Sequence, residues 1–216
     1  GQACTWHGSG SLRIAYTRDE VDWIRYTLSV GKGLGHTMEI VDPGRIAELH
    51  PFYNLEGVMA ALYTPHDGHV DPAGVAFAMA KGARMMGATV VRQNRVTGLS
   101  RAGAGFVVHT EQGDVEAQMV VNAGGTYARQ IGQWVGVDLP IANMLHHYLI
   151  TDTVPEFQDL EKELPVIRDD SQVSGYIRME QKSGLIGIYE KANAASVWDD
   201  GTPWESENEL FEPDYD

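Results

Sequence analysis

The order of patterns between Asp71 and Gly136 constrains this chain more than any other feature. Asp71-Pro72 supplies a helix cap and a first-turn proline, and Val75 to Met86 carries small and apolar residues throughout. Gly87-Ala-Thr-Val-Val91 then reads as a short buried strand, with Ala83 and Gly87 suited to close packing of the helix on a sheet. Three alternating runs follow, Arg95–Ser100, Gly105–Thr110 and Asp114–Ala117. Gly103, Gly105 and Gln112-Gly113 divide them, which predicts a small antiparallel meander. Gln118 to Ala123 reads as a second buried strand, running through Gly124-Gly125 into a helix from Tyr127 to Val135. Helix, strand, meander, strand, glycine turn and helix form the middle of a doubly wound dinucleotide-binding domain. Ligands of such sheets sit beyond the carboxyl ends of the strands.

The flanks follow other rules. Gly10–Tyr16 reads as a strand, and Asp19 can cap a helix from about Glu20 to Val30 that Gly31, Gly33 and Gly35 end. A short helix follows Asp42-Pro43, and Gly57–Tyr63 reads as a buried strand. After Pro140 the strand-like runs are Asn143–Thr151, Val166–Asp169, Gly175–Glu180 and Gly184–Lys191, with a helix over Glu156–Glu163. That is an antiparallel sheet with one helix, a different layer type from the segment before it. The fold class is therefore α/β, mixed with α+β, in two interleaved domains. Residues 66–137 belong to the dinucleotide domain, and residues 1–65 and 138–216 belong to the other.

Charge narrows the partners. Sixteen Lys and Arg stand against 30 Asp and Glu, a formal charge of −14. Such a chain lacks the basic face that displaces counterions from nucleic acid. Cys4 is the single cysteine, which excludes an internal disulfide and any multi-cysteine metal site. No apolar run reaches the roughly 18 residues of a membrane span, and the N-terminus lacks the pattern of a signal peptide. These features predict a soluble protein of the bacterial cytoplasm or an organelle matrix. Both ends read as cuts. Trp198–Asp216 holds Glu207, Glu209, Asp214 and Asp216 among its acids and no Lys or Arg, and it shows no strand or helix pattern. It is either a solvated tail or a segment that packs on later chain, and Trp204, Leu210, Phe211 and Tyr215 favour the second.

Several clusters carry chemistry. No Gly-x-Gly-x-x-Gly occurs, so the phosphate loop of a complete dinucleotide site is not in this chain. Asn122-Ala-Gly-Gly125 is either a place where backbone meets a flat cofactor or merely a tight turn. His66, His69 and Asp71 have the residue types of a metal site, yet Asp71 is better used as the cap before Pro72. Strand alternation puts His146 and Tyr148 on one face, and Tyr176 and Arg178 on one face of another strand. Facing one cleft, imidazole, phenol and guanidinium would bind a carboxylate and orient an amine; facing outward, they are a polar sheet surface.

An ordered set of motifs goes further. Trp6-His-Gly-Ser-Gly-Ser-Leu-Arg-Ile, Asp67-Gly-His-Val-Asp-Pro72, Val120-Val-Asn-Ala-Gly-Gly125 and His146-His-Tyr148 occur in this order. Glu163-Leu-Pro-Val-Ile-Arg-Asp169, Gly187-Ile-Tyr-Glu190 and Glu209-Leu-Phe-Glu-Pro-Asp214 follow them. The set resembles the dimethylglycine/sarcosine dehydrogenases, D-amino-acid-oxidase-type flavoproteins, over nearly the whole chain. The resemblance implies an FAD domain alternating with an antiparallel substrate domain, with the phosphate loop and a flavin-linked histidine upstream of this segment. His7 is not assigned to flavin attachment, because it runs straight into a strand. Carried over, Val96 matches the position whose backbone meets the adenine end of FAD, and Ala123, Gly124 and Tyr127 match the turn beside the cofactor. His146 matches the active-site histidine and Tyr176 the active-site tyrosine; Tyr148 and Arg178, placed on the same faces by strand alternation, are the candidates for substrate binding. His146-His147 departs from a commoner His-Gln-Tyr. The implied reaction is oxidation of an N-methylated glycine by hydride transfer to flavin. Electron-transfer flavoprotein or oxygen is the implied acceptor, and tetrahydrofolate a partner only through a further domain.

Two other classes stay in competition: a metal-dependent hydrolase using His66, His69 and Asp71, and a non-catalytic acidic module whose aromatic end docks on a partner.

Overall fold

The computed structural model describes residues 2–191, 195–206 and 210–212. Glu207, Glu209, Asp214, Tyr215 and Asp216 of the acidic end lie outside the described residues. The chain divides into two units, residues 1–87 with 146–192 and residues 88–145 with 193–216. The first unit opens with β1 (Ser11–Ala15), α1 (Arg18–Gly33), β2 (Glu39–Val41), α2 (Pro43–Leu49), β3 (Ala60–Thr64) and α3 (Pro72–Met85). The second holds β4 (Val96–Ala102), β5 (Gly105–Thr110), β6 (Val115–Ala117), α4 (Ala128–Gln133) and β7 (Asn143–Met144). The chain then returns to the first unit with β8 (His147–Ile150), β9 (Val166–Asp169), β10 (Gly175–Glu180) and β11 (Ser183–Ile188). Finally β12 (Ser196–Val197) belongs to the second.

The first unit is built on a seven-stranded sheet in the order β2-β3-β1-β9-β10-β11-β8. It is mixed rather than antiparallel throughout. β1 and β9 run parallel, with Leu12 opposite Ile167 and Arg13 opposite Arg168. Parallel neighbours need a long crossover, and here the crossover contains the whole of residues 88–145. Alternation then sorts the core. Leu12, Ile14 and Ile167 pack with Ile46 of α2 on one face. Ala15, Ala60 and Leu62 pack with Val21 and Ile24 of α1 on the other. Each such Leu or Ile buried stabilises the fold by about 1.5–3 kcal/mol.

α1 starts earlier than the sequence pattern suggests. Thr17, not Asp19, is the cap: its side chain accepts from the Glu20 N–H at 3.2 Å, and Glu20 accepts from the Thr17 N–H at 2.9 Å. This reciprocal box nucleates the helix before Asp19, and Gly31 and Gly33 end up inside it. Asp42 and Asp71 cap α2 and α3 as expected.

The helix expected over Glu156–Glu163 is only a 3-10 turn at Pro155–Phe157. The Lys182 ammonium donates to the carbonyls of Phe157, Gln158 and Leu160 at 2.8, 3.1 and 3.3 Å, taking acceptors a helix would use for itself. In the second unit β4, β5 and β6 form the expected meander. The two buried strands beside it do not form. Val91, Met119 and Val121 are 60%, 80% and 82% exposed. Such a strand needs neighbours for its N–H and C=O groups and cover on both faces, and none of the described residues supplies them. Just before the acidic end, β12 pairs with β7. Beyond it the Gln130 side chain and the Thr202 backbone exchange two hydrogen bonds at 2.8 Å. Among the described residues, no helix is long and apolar enough to cross a membrane.

One buried charge ties the first unit together. Asp169, 1% exposed, ends β9. Its Oδ2 accepts from the Tyr16 and Tyr53 hydroxyls at 3.0 and 2.7 Å. Its Oδ1 accepts from the Ser171 and Gln172 N–H groups at 2.9 Å each. Burial pushes this carboxyl up, but the bonds from Tyr53, Ser171 and Tyr16 outweigh it and hold it below its ordinary value. A carboxyl depressed on folding stabilises the fold above its unfolded value of about 3.9, and the benefit disappears as pH falls through the lower folded value. We expect Asp169→Asn to cost about 1.5–3 kcal/mol at pH 7 in urea unfolding. The gap between variant and parent should narrow below about pH 4; a gap independent of pH would refute the assignment.

Candidate functional site

Strand register assembles the residues around His146. Tyr148 of β8 lies opposite Gly187 of β11, Gly187 opposite Tyr176 of β10, and Tyr176 opposite Arg168 of β9. Directly opposed side chains share a face, so Tyr148, Tyr176 and Arg168 emerge together. Gly187 makes the room: a Cβ there would stand 2.2 Å from Cζ of Tyr176, whose ring lies across it. His146, just before β8, places its ring 6.5 Å from that of Tyr176. It stacks on Tyr189 at 4.5 Å and 10°. The structure thus brings His146 and Tyr176 together and puts Tyr148 on the same sheet face. Arg178 is next along that face of β10, but Glu180 holds its guanidinium at 2.7 Å. Arg168 is the cation nearer the cluster, 4.7 Å from the centre of the Tyr189 ring. Sequence reasoning passed over Arg168, Tyr189 and Glu190. Tyr189 and Glu190 stand in the run Gly187–Glu190, and the signal was that this run closes the strand paired with His147.

The structure does not bring His66, His69 and Asp71 together. Asp71 accepts from the Ala73 and Gly74 N–H groups at 3.1 and 2.9 Å, as a helix cap does. Among the described residues, His69 instead meets His7 and Glu163. The two imidazoles stack at 4.4 Å and 9°. His7 Nδ1 lies 2.8 Å from one Glu163 oxygen and His69 Nε2 lies 2.5 Å from the other. In-plane lone pairs of two parallel rings do not converge on one ion, whereas one carboxylate accepts from both. The cluster therefore works as a clasp between three segments. Backbone bonds between His7 and His69 at 2.9 and 3.1 Å reinforce it. Gly68 is required there, since a Cβ would fall 1.8 Å from the His7 carbonyl oxygen. Burial raises the Glu163 carboxyl, and the bonds from His69 and His7 more than offset it, leaving it below its ordinary value.

In the second unit, Val96, Gly124 and Tyr127 line one recess of about 750 Å³, with Arg95 and Trp204. Ala123 lines a narrower apolar cavity of about 130 Å³ that also touches Val96 and Gly124. The turn is held by Asn122, whose Oδ1 accepts from the Gly124 N–H at 3.1 Å while its amide donates to the Ala128 carbonyl at 2.8 Å. Tyr127 stacks on Trp204 at 5.4 Å, and Trp204 on Trp134 at 5.3 Å, so one wall of the recess is aromatic.

Comparison with known proteins agrees with this architecture. The family described as "DAO: FAD dependent oxidoreductase" matches residues 1–213. The mitochondrial dimethylglycine dehydrogenase of Rattus norvegicus is 38% identical over 221 residues, covering 100% of this chain and 26% of the rat protein. The mitochondrial sarcosine dehydrogenase of Homo sapiens is 32% identical over 193 residues, 86% of this chain and 20% of that protein. The chain thus spans about a quarter or less of the length of these relatives. The crystal structure of L-proline dehydrogenase from P. horikoshii has the same fold, with a TM-score of 0.72 and 23% identity over 85% of this chain and 49% of that one.

The Gly187–Tyr176 contact is open to a direct check. Gly187→Ala should cost about 1–3 kcal/mol by overpacking. In a Tyr176→Ala background, where the ring is gone, the same change should cost less than about 0.5 kcal/mol. Equal costs in urea unfolding would place Tyr176 elsewhere.

Proposed function

We infer, for a chain that belongs to the DAO family of FAD-dependent oxidoreductases, that it forms part of an enzyme oxidising the C–N bond of an N-methylated glycine. The observation that carries this reading is the His146 imidazole, set against Tyr189 at 4.5 Å and Tyr176 at 6.5 Å on a sheet face that also bears Arg168. Aromatic walls favour an N-methyl group, and a guanidinium favours the carboxylate of an amino acid. The names of the relatives, dimethylglycine and sarcosine dehydrogenase, agree in substrate class.

The second unit supports FAD as the cofactor. A recess walled by Tyr127 and Trp204, with Arg95 and the backbone of Val96 and Gly124 at its edge, fits a flat heteroaromatic ring with polar substituents. Val96, Ala123, Gly124 and Tyr127 would hold that part of the dinucleotide. When bound, the flavin supplies the acceptor for a hydride.

The chain's own residues then have a defined task. Hydride leaves the N-methyl carbon only if the nitrogen lone pair is free to form the C=N bond of the iminium product. His146 accepts the ammonium proton or a hydrogen bond from it, Tyr176 orients the amine, and Tyr148 lines the same face. Arg168 or Arg178, each partly engaged by an acidic neighbour, Asp170 or Glu180, meets the carboxylate. Water capturing the iminium returns the demethylated amine and formaldehyde.

Replacing His146 by Ala in the full FAD-loaded protein should slow flavin reduction by about 10²-fold, as expected for loss of one positioned acid–base group. Anaerobic stopped flow with dimethylglycine measures it, and an unchanged rate would remove His146 from the reaction.

A further inference from the structure

The residues that follow β11 hold His146 from two sides. The Tyr189 N–H donates to the Ser174 carbonyl at 2.7 Å, anchoring its backbone to the start of β10. The Tyr189 ring is in turn braced by Arg168, whose guanidinium Asp170 holds at 2.5 Å. Asp170 also binds Arg13 of β1 at 2.9 Å, so the brace reaches back into the sheet. Against this fixed ring the imidazole of His146 lies parallel at 4.5 Å. Glu190 stands beside the same imidazole. One carboxylate oxygen is 3.7 Å from His146 Nδ1, and the other is 3.7 Å from His147 Nδ1.

A neutral imidazole carries its proton on one nitrogen only, and a neighbouring carboxylate decides which. The stack fixes the plane of the ring, and within that plane the orientation seen presents Nδ1 to the carboxylate. We propose that Tyr189 and Glu190 are positioning residues for His146: the ring sets the imidazole plane, and the carboxylate keeps the proton on Nδ1, leaving Nε2 as the free acceptor. His147 Nδ1 stands 3.7 Å from the other Glu190 oxygen, so one carboxylate faces both imidazoles. The doubled histidine thereby gains a role that neither residue has alone. The inference rests on His146 meeting the substrate, as argued above.

The test uses the full FAD-loaded protein and its variants. Tyr189→Leu should lower the limiting rate of anaerobic flavin reduction about tenfold with little change in substrate affinity, and Tyr189→Phe, which keeps the ring, should restore most of that loss. Glu190→Gln should also lose about tenfold. In ¹⁵N-histidine spectra, His146 should carry its proton on Nδ1 in the parent and show a tautomer mixture in Glu190→Gln. A parent spectrum with the proton on Nε2 overturns the proposal whatever the kinetics show. So does parent-like reduction in Tyr189→Leu and Glu190→Gln alongside a slow His146→Ala. If His146→Ala itself reduces flavin at the parent rate, the functional reading fails instead, and the spectrum still decides the tautomer.

Discussion

The parallel pairing of β1 with β9 is the constraint on which the first unit depends. It joins two pieces of chain separated by residues 88–145 of the second unit, and Leu12 and Ile167, both fully buried, meet across it. Parallel pairing offers no local hairpin to guide it, so other forces must hold the register. Asp169 supplies them at the end of β9, where Tyr16 from beyond β1 and Tyr53 from beyond α2 converge on its carboxylate. A slip of one residue would turn Ile167 to the wrong face and pull Asp169 from both phenols.

Function follows from the same ladder. Because β9 is placed by β1, Arg168 stands beside β10 on the face that carries Tyr176. Because β10 pairs with β11 and β11 with β8, Tyr176 crosses Gly187 and His146 arrives next to Tyr189. Arg168, Tyr176 and Gly187 meet through successive hairpins, whereas His146 reaches Tyr189 only through the pairing of β11 with β8. They exist because strand pairing converts a register into a neighbourhood, and the chemistry proposed for His146 is built from that neighbourhood. The His7–His69–Glu163 clasp fastens a third connection, between the segment before β1 and the segment before β9.

Much of the fold was legible where the code is local. β9 and β10 occur where alternation placed them, the meander falls between its glycine turns, and Asp42 and Asp71 cap the helices their prolines announce. The failures are all failures of context. Gln118–Ala123 has the composition of a buried strand, yet composition does not provide the neighbouring strands that would bury it. The three-residue β2 and two-residue β12 are too short to show a period, and they exist only because β3 and β7 offer edges. At the candidate site, motif pointed to His146 and Tyr176, which the structure brings near each other, whereas Arg168 and Glu190 come into view only through the residues they approach. The alternative metal set does not assemble, because Asp71 serves its own helix, as the sequence favoured, and Glu163, far along the chain, captures His69.

The account stands on hydride leaving an N-methyl carbon beside His146. Dimethylglycine deuterated at its methyl groups, mixed anaerobically with the full FAD-loaded protein, tests this most directly. The account expects the flavin to bleach, and to bleach several-fold more slowly with the deuterated than with the ordinary substrate. Equal rates in a substrate-saturated single turnover, or a flavin that stays oxidised with both, would contradict it.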